Sequence, residues 1–243
     1  MRGIFLTFEG PEGAGKSSQA QRLRSRLEEL GLGVVMTREP GGVPVAEDLR
    51  RIVLQGDPLP RTEALVFLAA RAEHAERALR PALEDGAVVI CDRFSDSTLA
   101  YQGYGLGMDL DELRALNRFA AGGLTPDLTL LLDLPPETGL SRRLGVPLEG
   151  RRGGQLGLGL EEDDRAREER LLATTRIEAR DLGFHRRVRE GFLAEAAREP
   201  DRFVVIDGAL PKEDVAERLW TAVSGWLAAR RPELLPAGRS DAR

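Results

Sequence analysis

Residues 10–17 have the types and spacing of a phosphate-binding loop. They read Gly-Pro-Glu-Gly-Ala-Gly-Lys-Ser and match the pattern G-x-x-x-x-G-K-[ST], with an apolar run before it and an amphipathic stretch after it. In such a loop, consecutive backbone N–H groups point into one concavity, and the next helix adds the positive end of its dipole. The pattern predicts that Lys16 reaches the β- and γ-phosphates of a nucleotide and that Ser17 offers its hydroxyl to Mg²⁺. The loop residues are Gly10, Pro11, Glu12, Gly13, Ala14, Gly15, Lys16 and Ser17.

The loop belongs to a regular alternation of apolar and amphipathic segments. Five short apolar runs have the length of buried strands, at residues 3–9, 34–37, 86–91, 128–133 and 203–206. Seven stretches have helical spacing, at residues 18–30, 45–54, 63–83, 95–102, 109–121, 168–197 and 215–227. The third of these is expected to break near Pro81. Because near-continuous apolar runs are typical of parallel strands covered on both faces, we predict a three-layer α/β fold with a five-stranded parallel sheet flanked by helices.

The same pattern predicts one domain with two less regular segments. At 243 residues the chain is long enough to bury one large core without disulfides. We assign residues 1–229 to this domain and expect residues 230–243 to form a flexible tail. Residues 145–164 carry Gly, Pro, Arg and Leu without a clear period and end in an acidic run. They are expected to belong to an extended, mobile lid over about residues 142–175.

Composition narrows the classes of function. The single cysteine, Cys91, excludes an internal disulfide, and the cysteine and two histidines form no cluster with zinc spacing. No signal-type segment precedes the first strand, and no apolar run has the length of a membrane span. A net charge of −5 and a pI of about 5.4 do not favour a nucleic-acid polyanion. These features predict a cytoplasmic protein with no nucleic-acid or membrane partner.

Further charged side chains lie where the predicted strands end. Arg38 follows the second strand, Asp92 the third, and Asp133 ends the fourth. The carboxyl ends of parallel strands meet at one edge of a sheet, which is where ligands of such sheets bind. We therefore expect these residues to lie at the same edge as the phosphate loop.

Longer strings of residues carry a family resemblance. The loop with its flanks at residues 8–17, the string Thr-Arg-Glu-Pro-Gly-Gly at residues 37–42 and the string Asp-Arg-Phe-Ser-Asp-Ser-Thr-Leu-Ala-Tyr-Gln-Gly at residues 92–103 follow one another as in bacterial thymidylate kinases. Shorter matches continue that order, at residues 126–129, 132–133, 176–178, 184 and 188–189. The phosphate loop alone is common to many NTPases, whereas the other two strings are far more specific. The chain thus resembles bacterial thymidylate kinases, a family of P-loop nucleoside monophosphate kinases, over nearly its whole length.

The resemblance implies transfer of the γ-phosphoryl group of ATP to the 5′-phosphate of dTMP, with Mg²⁺ assisting and the phosphate loop binding ATP. Transfer between two polyanions needs positive charge around a nearly in-line pair of oxygens, and Lys16, Arg38 and Arg93 are expected to supply it. Since Arg93 directly follows a strand and a guanidinium can grip a phosphate with two hydrogen bonds, we assign it to the acceptor phosphate. The alternative is a structural salt bridge from Arg93 to Asp92 or Glu9. By resemblance, Glu9 and Asp92 orient waters on Mg²⁺, and the alternative is that they only balance the arginines.

The resemblance also implies a base pocket. Phe67 would stack on thymine and Arg71 would donate to a thymine carbonyl, and their four-residue spacing puts both on one helical face. Four further residues are implied to line this pocket, Ser97, Thr98, Tyr101 and Gln102. Tyr101 would lie where a ribose 2′-hydroxyl would go, which favours deoxyribonucleotides. The ordinary alternatives are a core residue for Phe67 and a helix cap for Tyr101.

Two expectations concern the transferred group. Glu12 stands where the resemblance implies an acidic residue facing the 3′-hydroxyl of the acceptor sugar. Relatives with this loop carry a catalytic arginine on the lid, which would stabilise the transferred charge while excluding water. Four arginines are candidates, Arg142, Arg143, Arg151 and Arg152. We favour Arg142 because it keeps the nearest family spacing after Asp133. The alternative is that Arg142 is a solvated surface arginine. The lid itself departs from the family, because residues 145–164 are inserted.

The resemblance further implies a homodimer built from the helices at residues 63–83 and 109–121. Two other classes stay open: another P-loop kinase of nucleosides or nucleoside monophosphates, and a nucleotide-dependent switch ATPase. The pair Arg38 and Arg93 argues for a phosphorylated acceptor, because a neutral nucleoside needs no such charge. A switch ATPase would need a partner-binding surface, and the sequence shows no basic amphipathic helix or basic face.

Overall fold

The five predicted strands form one sheet. A computed structural model describes residues 2–144 and 177–235 of the chain. Its strands are β1 (Ile4–Glu9), β2 (Val34–Arg38), β3 (Val88–Asp92), β4 (Leu128–Asp133) and β5 (Phe203–Asp207). Their order is β2-β3-β1-β4-β5, and each neighbouring pair is parallel. The predicted three-layer α/β fold with a five-stranded parallel sheet is confirmed.

Helices connect the strands and cover both faces of the sheet. Those described are α1 (Lys16–Glu29), α2 (Pro44–Gln55), α3 (Pro60–His74), α4 (Arg80–Glu84), α5 (Ser95–Thr98), α6 (Leu110–Ala120), α7 (Pro136–Leu144), α8 (Leu182–Arg198) and α9 (Lys212–Arg230). Two π-helical stretches, Ala75–Leu79 and Leu99–Gly105, and a 3₁₀ turn, Pro232–Leu234, complete them. Asp109 and Asp181 cap α6 and α8, because each side chain accepts a hydrogen bond from a backbone N–H three residues on.

The core lies on both faces of the central strands. All six residues of β1 are buried. On one face Leu6 and Phe8 belong to an apolar cluster that includes Leu23 of α1 and Leu219 of α9. On the other face the ring of Phe5 lies edge-on to the ring of Phe94, with the ring centroids 5.0 Å apart. Burial on both faces explains the near-continuous apolar runs. The packing also holds the carboxyl ends of the strands in fixed positions.

The structure corrects three predicted helix boundaries. The helix predicted at residues 63–83 breaks at Ala75, before Pro81, as a π-helical stretch. Proline lacks an N–H and its ring crowds the carbonyl four residues earlier, so the irregularity falls on the N-terminal side of Pro81. The helix predicted at residues 95–102 continues in π-helical form to Gly105. Of the helix predicted at residues 168–197, residues 177–181 are not helical and Leu182–Arg198 form α8, which Asp181 caps; residues 168–176 lie outside the described residues.

Two stretches next to the less regular segments are also ordered. Helix α7, which the sequence did not predict, opens with a proline in its first turn, Pro136, and a glutamate after it. After α9, Arg231 donates to the backbone carbonyl of Arg2 at 3.0 Å, and Leu235 packs against the core. Most of the predicted lid and residues 236–243 of the predicted tail lie outside the described residues.

Candidate active site

A cleft of about 420 Å³ opens at the carboxyl ends of β1, β2 and β3. All nine residues predicted to bind the acceptor line it: Glu12, Arg38, Phe67, Arg71, Arg93, Ser97, Thr98, Tyr101 and Gln102. Lys16, Ser17 and Asp92 line it too. The sheet therefore brings the phosphate loop and the predicted acceptor residues into one site, although they come from four separate parts of the chain.

The phosphate loop is packed tightly between β1 and two helices. Gly13 and Gly15 have φ of 70° and 91°, a conformation that glycine adopts without strain. A Cβ at Gly13 would lie 2.0 Å from the carbonyl oxygen of Gly139 in α7, so glycine is required there for space as well. Helix α1 begins at Lys16, and its N-terminus therefore faces the cleft.

Lys16 is held inside the loop. Its Nζ donates to the carbonyl oxygens of Gly10 and Pro11, both at 2.9 Å, and the residue is only 7% exposed. Burial, with the positive charge of Arg93, lowers the pKa of Lys16 from 10.5 to about 8. The ammonium is thus a cation with little solvation, and negative phosphates would compensate its charge.

Ser17 and Asp92 form the part of the site that fits Mg²⁺. The Ser17 hydroxyl donates to Asp92 Oδ2 at 2.6 Å, so two oxygen ligands lie together beside the loop. Within residues 2–144 and 177–235, no group of three or more His, Cys, Asp or Glu side chains could hold a metal ion. The pair therefore suits an ion that takes most of its ligands from phosphates and water, as Mg²⁺ does.

Arg93 occupies an unusual backbone position at the end of β3. Its φ of 72° makes it the one described non-glycine residue in the left-handed region. Its backbone N–H donates to the carbonyl of Phe8 at 2.9 Å, and its Nη1 donates to the carbonyl of Gly10 and to Ser97 Oγ, both at 3.2 Å. Backbone strain of this kind concentrates at functional sites. The turn aims the guanidinium at the phosphate loop.

The carboxylate that pairs with Arg93 is Glu12, and neither Asp92 nor Glu9 is its partner. Arg93 Nη2 donates to Glu12 Oε1 at 2.7 Å, and the Tyr101 hydroxyl donates to the same oxygen at 2.8 Å. Burial raises the pKa of Glu12, but the charges of Arg93 and Lys16 outweigh it and bring the pKa to about 2. Glu12 is therefore ionised at any working pH. This pairing escaped the sequence analysis, which considered only carboxylates next to strand ends.

Glu9 lies behind this turn and does not line the cleft. It is fully buried, and its two oxygens accept hydrogen bonds from the Phe94 backbone N–H at 2.7 Å and the Ser97 hydroxyl at 2.6 Å. Burial and the nearby carboxylate of Asp96 raise the pKa of Glu9 to about 7. Glu9 thus braces the backbone that carries Arg93, and its role near Mg²⁺ stays a prediction.

A second part of the cleft is built around Arg71. Its Nε donates to Glu39 Oε2 at 2.8 Å, its Nη2 to the carbonyl of Phe94 at 3.0 Å, and its Nη1 to Thr98 at 3.0 Å and to Asn117. Within the described residues, four of the five guanidinium N–H groups are therefore used, and one on Nη2 has no hydrogen-bond partner. Glu39 lies in the sequence string at residues 37–42, but nothing in the sequence pointed to Asn117.

The arginines around the rim differ in orientation. Arg38 is exposed and pairs with Glu47 at 2.9 Å. Arg50, which the sequence analysis missed, lines the cleft and donates to the Pro40 carbonyl at 2.8 Å. Arg143 lines the cleft and pairs with Glu178 at 2.9 Å.

Arg142, the arginine favoured from the sequence, points elsewhere on α7. It donates to the carbonyl of Gly208 at 2.8 Å and does not line the cleft. Gly208 itself lies beside the loop, since a Cβ there would be 3.5 Å from the Ala14 carbonyl oxygen. The candidates Arg151 and Arg152 fall outside the described residues.

Fold and site together define a P-loop kinase: a parallel α/β sheet with a nucleotide phosphate loop and a basic acceptor site in one cleft. The family model described as thymidylate kinase matches residues 8–145. Proteins named thymidylate kinase from Thermomicrobium roseum and Herpetosiphon aurantiacus are 48% and 45% identical over 221 and 223 residues, which cover 90% of this chain and 94% of each relative. One from Geobacter sulfurreducens is 46% identical over 233 residues, 95% of this chain and 99% of the relative. The chain belongs to the thymidylate kinase family.

Family membership confirms the resemblance found in the sequence and the prediction of a kinase that uses ATP as co-substrate. It does not favour the two alternatives, a kinase for another acceptor or a switch ATPase. Among the helices in the described ranges, none is long and apolar enough to cross a membrane.

Proposed function

We propose that this chain transfers the γ-phosphoryl group of ATP to the 5′-phosphate of dTMP, giving dTDP and ADP for deoxynucleotide biosynthesis. One observation carries the proposal: the guanidinium of Arg93 lies against the phosphate loop, with Nη1 3.2 Å from the Gly10 carbonyl oxygen. A guanidinium at this distance can grip an acceptor phosphate beside the donor phosphates that the loop binds. The family relationship supports the same substrates.

In the proposed reaction an oxygen of the acceptor phosphate attacks the γ-phosphorus, and the bond to the bridging oxygen of the β-phosphate breaks. Lys16 neutralises the donor phosphates, Arg93 fixes the acceptor phosphate and Arg38 adds charge at the rim. Because phosphoryl transfer needs little covalent help, positioning and charge are the protein's main contributions.

Glu12 is proposed to exchange partners when the acceptor binds. It pairs with Arg93 Nη2 at 2.7 Å, on the atom that an acceptor phosphate would use. We propose that the phosphate replaces the carboxylate on Arg93 and that Glu12, still bonded to the Tyr101 hydroxyl, then accepts from the 3′-hydroxyl of the sugar. Tyr101 would thereby lie against the sugar and disfavour a 2′-hydroxyl.

The proposal includes Mg²⁺. Ser17 and Asp92 would hold it, directly or through water, because their oxygens lie together beside the phosphate loop. A bound Mg²⁺ ion supplies positive charge to the donor phosphates. Asp92 is the last residue of β3 and Arg93 follows it directly, so the end of this strand would contact both the Mg²⁺ ion at the donor phosphates and the acceptor phosphate.

At the base end, Phe67 is proposed to stack on thymine and Arg71 to donate its remaining N–H to a thymine carbonyl. Phe67 is half-buried and lines the cleft, as a stacking ring requires. We keep Arg142 as the proposed catalytic arginine of the lid, since it lies beside Gly208 next to the phosphate loop. Arg143, which lines the cleft, is the alternative.

We propose a cytoplasmic homodimer with no nucleic-acid or membrane partner. The buried thiol of Cys91 suits a reducing compartment, and the net charge of −5 disfavours polyanions. Large apolar side chains are exposed on three neighbouring helices: Ile52 of α2, Leu65 of α3 and Phe119 of α6, the last 87% exposed. An apolar patch of this kind is typical of a protein interface, and it includes both helices predicted from the sequence.

Phe119→Lys is expected to dissociate this dimer, because it places a charge in the apolar patch. Sedimentation equilibrium should give the mass of one chain for the variant and of two for the native protein. Val205→Lys is the matched control, since Val205 is an exposed apolar residue on β5 and its replacement should leave the mass unchanged. A Phe119→Lys protein that sediments like the native one contradicts the proposed interface.

The choice of acceptor is tested by ADP release in a coupled assay with ATP and Mg²⁺. The acceptors compared are dTMP, dUMP, dCMP, AMP, GMP and thymidine. We expect dTMP to be preferred and thymidine to give no release above background, because thymidine has no phosphate that could replace Glu12 on Arg93 and be held beside the phosphate loop. A preference for thymidine would overturn the acceptor assignment, and equal rates with AMP or GMP would overturn the base assignment.

A further inference from the structure

A buried carboxylate, Glu63, lies beneath the base end of the cleft. It stands in the first turn of α3 and is fully buried. Its Oε1 accepts from Gln102 Nε2 at 2.8 Å, and its Oε2 accepts from Arg180 Nη2 at 2.7 Å. Glu63, Phe67 and Arg71 are spaced by four residues, so one face of α3 carries all three toward the cleft. The base contacts proposed above use Phe67 and Arg71 and give Glu63 no role.

The contacts of Glu63 with Gln102 and Arg180 fix the orientation of the Gln102 side-chain amide. Glu63 forms a salt bridge with Arg180 at 2.7 Å, and a carboxylate in such a pair accepts hydrogen bonds on both of its oxygens. Gln102 must therefore turn its NH₂ group to Glu63 and cannot turn its oxygen there. The opposite amide orientation would set oxygen against oxygen in a buried position, which is costly.

The amide orientation decides what Gln102 offers to a ligand. Gln102 lines the cleft, and within the described residues no hydrogen bond to its Oε1 is found. The polar atom that Gln102 presents is therefore an acceptor. Arg71 lines the same cleft, and the N–H on its Nη2 that has no partner among the described residues is a donor. The base end of the cleft thus offers one acceptor and one donor in a fixed arrangement.

We propose that Glu63 is a positioning residue that determines base specificity: by holding Gln102 with its carbonyl toward the cleft, it makes the pocket accept a pyrimidine with a hydrogen on N3 and reject one without. Thymine and uracil carry N3–H and a 4-carbonyl, which match the acceptor and the donor. Cytosine has an N3 without hydrogen and a 4-amino group. Its N3 acceptor would face the Gln102 acceptor, and its amino donor would face the Arg71 donor, so neither hydrogen bond could form. The inference rests on the proposed function, since it concerns the base of the same acceptor.

The test is Glu63→Gln, which keeps the size of the side chain but can either donate or accept. Gln102 is then free to turn its NH₂ group to the cleft. Wild-type enzyme should prefer dTMP to dCMP by at least about a hundredfold in kcat/KM. In the variant this ratio should fall at least about tenfold, mainly through KM, while the ratio of dTMP to dUMP stays unchanged because both bases carry N3–H.

A matched control separates orientation from general damage. Glu195 is also a buried carboxylate paired with an arginine, accepting from Arg114 at 2.6 Å and from Tyr104 at 3.0 Å, but it lies away from the cleft. Glu195→Gln should leave the ratio of dTMP to dCMP at the wild-type value. If Glu63→Gln is too unstable to assay, Arg180→Gln removes the ion-pair partner of the same carboxylate and should lower the same ratio.

The outcomes distinguish this inference from the function on which it rests. A ratio of dTMP to dCMP that stays at the wild-type value in both Glu63→Gln and Arg180→Gln overturns it, as does an equal loss for dTMP, dUMP and dCMP. If wild-type enzyme itself does not phosphorylate dTMP, the proposed function fails instead. A selective gain of dCMP against dTMP in the variant, with the Glu195→Gln control unchanged, supports it.

Discussion

Arg93→Ala is expected to raise the activation barrier for dTMP phosphorylation by about 2 to 4 kcal/mol, the usual cost of removing a positioned electrostatic group. The loss has two sources in the structure. Arg93 Nη1 lies at the phosphate loop, so the acceptor phosphate loses its grip there. Glu12 also loses the guanidinium that compensates its charge, and the incoming phosphate then meets an unbalanced carboxylate. Steady-state kcat/KM for dTMP measures the effect.

Two further variants make this prediction sharper. Glu12→Gln in the Arg93→Ala background should recover part of the lost kcat/KM. It removes the repulsion between Glu12 and the acceptor phosphate, but it does not restore the hydrogen bonds from Arg93. The double-mutant cycle measures the coupling between the two residues. Arg93→Lys should remain well below wild type, since an ammonium cannot offer the two parallel donors of a guanidinium. Arg93→Ala activity within a few-fold of wild type would refute the assignment of Arg93 to the acceptor phosphate.

The sheet and the phosphate end of the site could be predicted because their signals are local. A strand covered on both faces reads as a continuous apolar run, and the loop glycines follow β1 directly in the sequence. Once the strands are parallel, their carboxyl ends coincide, so Arg38, Asp92 and Arg93 had to approach the loop. Local pattern and topology were sufficient here.

The pairings inside the cleft could not be predicted because they join distant parts of the chain. Glu12 meets Arg93 across 81 residues, and Glu63 meets Arg180 across 117. No spacing rule connects such residues, since their approach depends on how the helices pack on the sheet. The ionised state of Glu12 and the amide orientation of Gln102 follow only from those contacts.

The orientation of the two arginines on α7 could not be predicted from sequence spacing either. Adjacent residues on a helix point about 100° apart, so Arg142 and Arg143 face different directions. Which of them faces the cleft depends on where the helix begins, and the sequence analysis did not predict α7 at all. Spacing from Asp133 was therefore too coarse to choose between them, and the structure turns Arg143 to the cleft and Arg142 to Gly208.

Lys16→Met is expected to abolish most activity without lowering stability. The barrier should rise by about 3 kcal/mol or more, because the cation at the donor phosphates is lost. The free energy of unfolding should stay within about 1 kcal/mol of wild type or increase. Burial disfavours the Lys16 ammonium in the folded chain, and a drop in its pKa from 10.5 to about 8 corresponds to about 3 kcal/mol. The two lost hydrogen bonds to Gly10 and Pro11 offset part of that gain.

The difference in stability between wild type and Lys16→Met depends on pH. Because the folded pKa of Lys16 lies below the unfolded one, its unfavourable contribution is complete below about pH 8 and is relieved as the pH rises toward 10.5, where the unfolded chain binds the proton and the folded chain does not. Wild type should therefore gain stability relative to Lys16→Met between pH 8 and 10.5 in denaturant unfolding. Lys212→Met, which changes the exposed lysine at the start of α9, should alter neither activity nor this difference. A Lys16→Met protein that turns over normally, or that unfolds much more easily than wild type at pH 7, would mean that the buried ammonium serves the fold and not the phosphates.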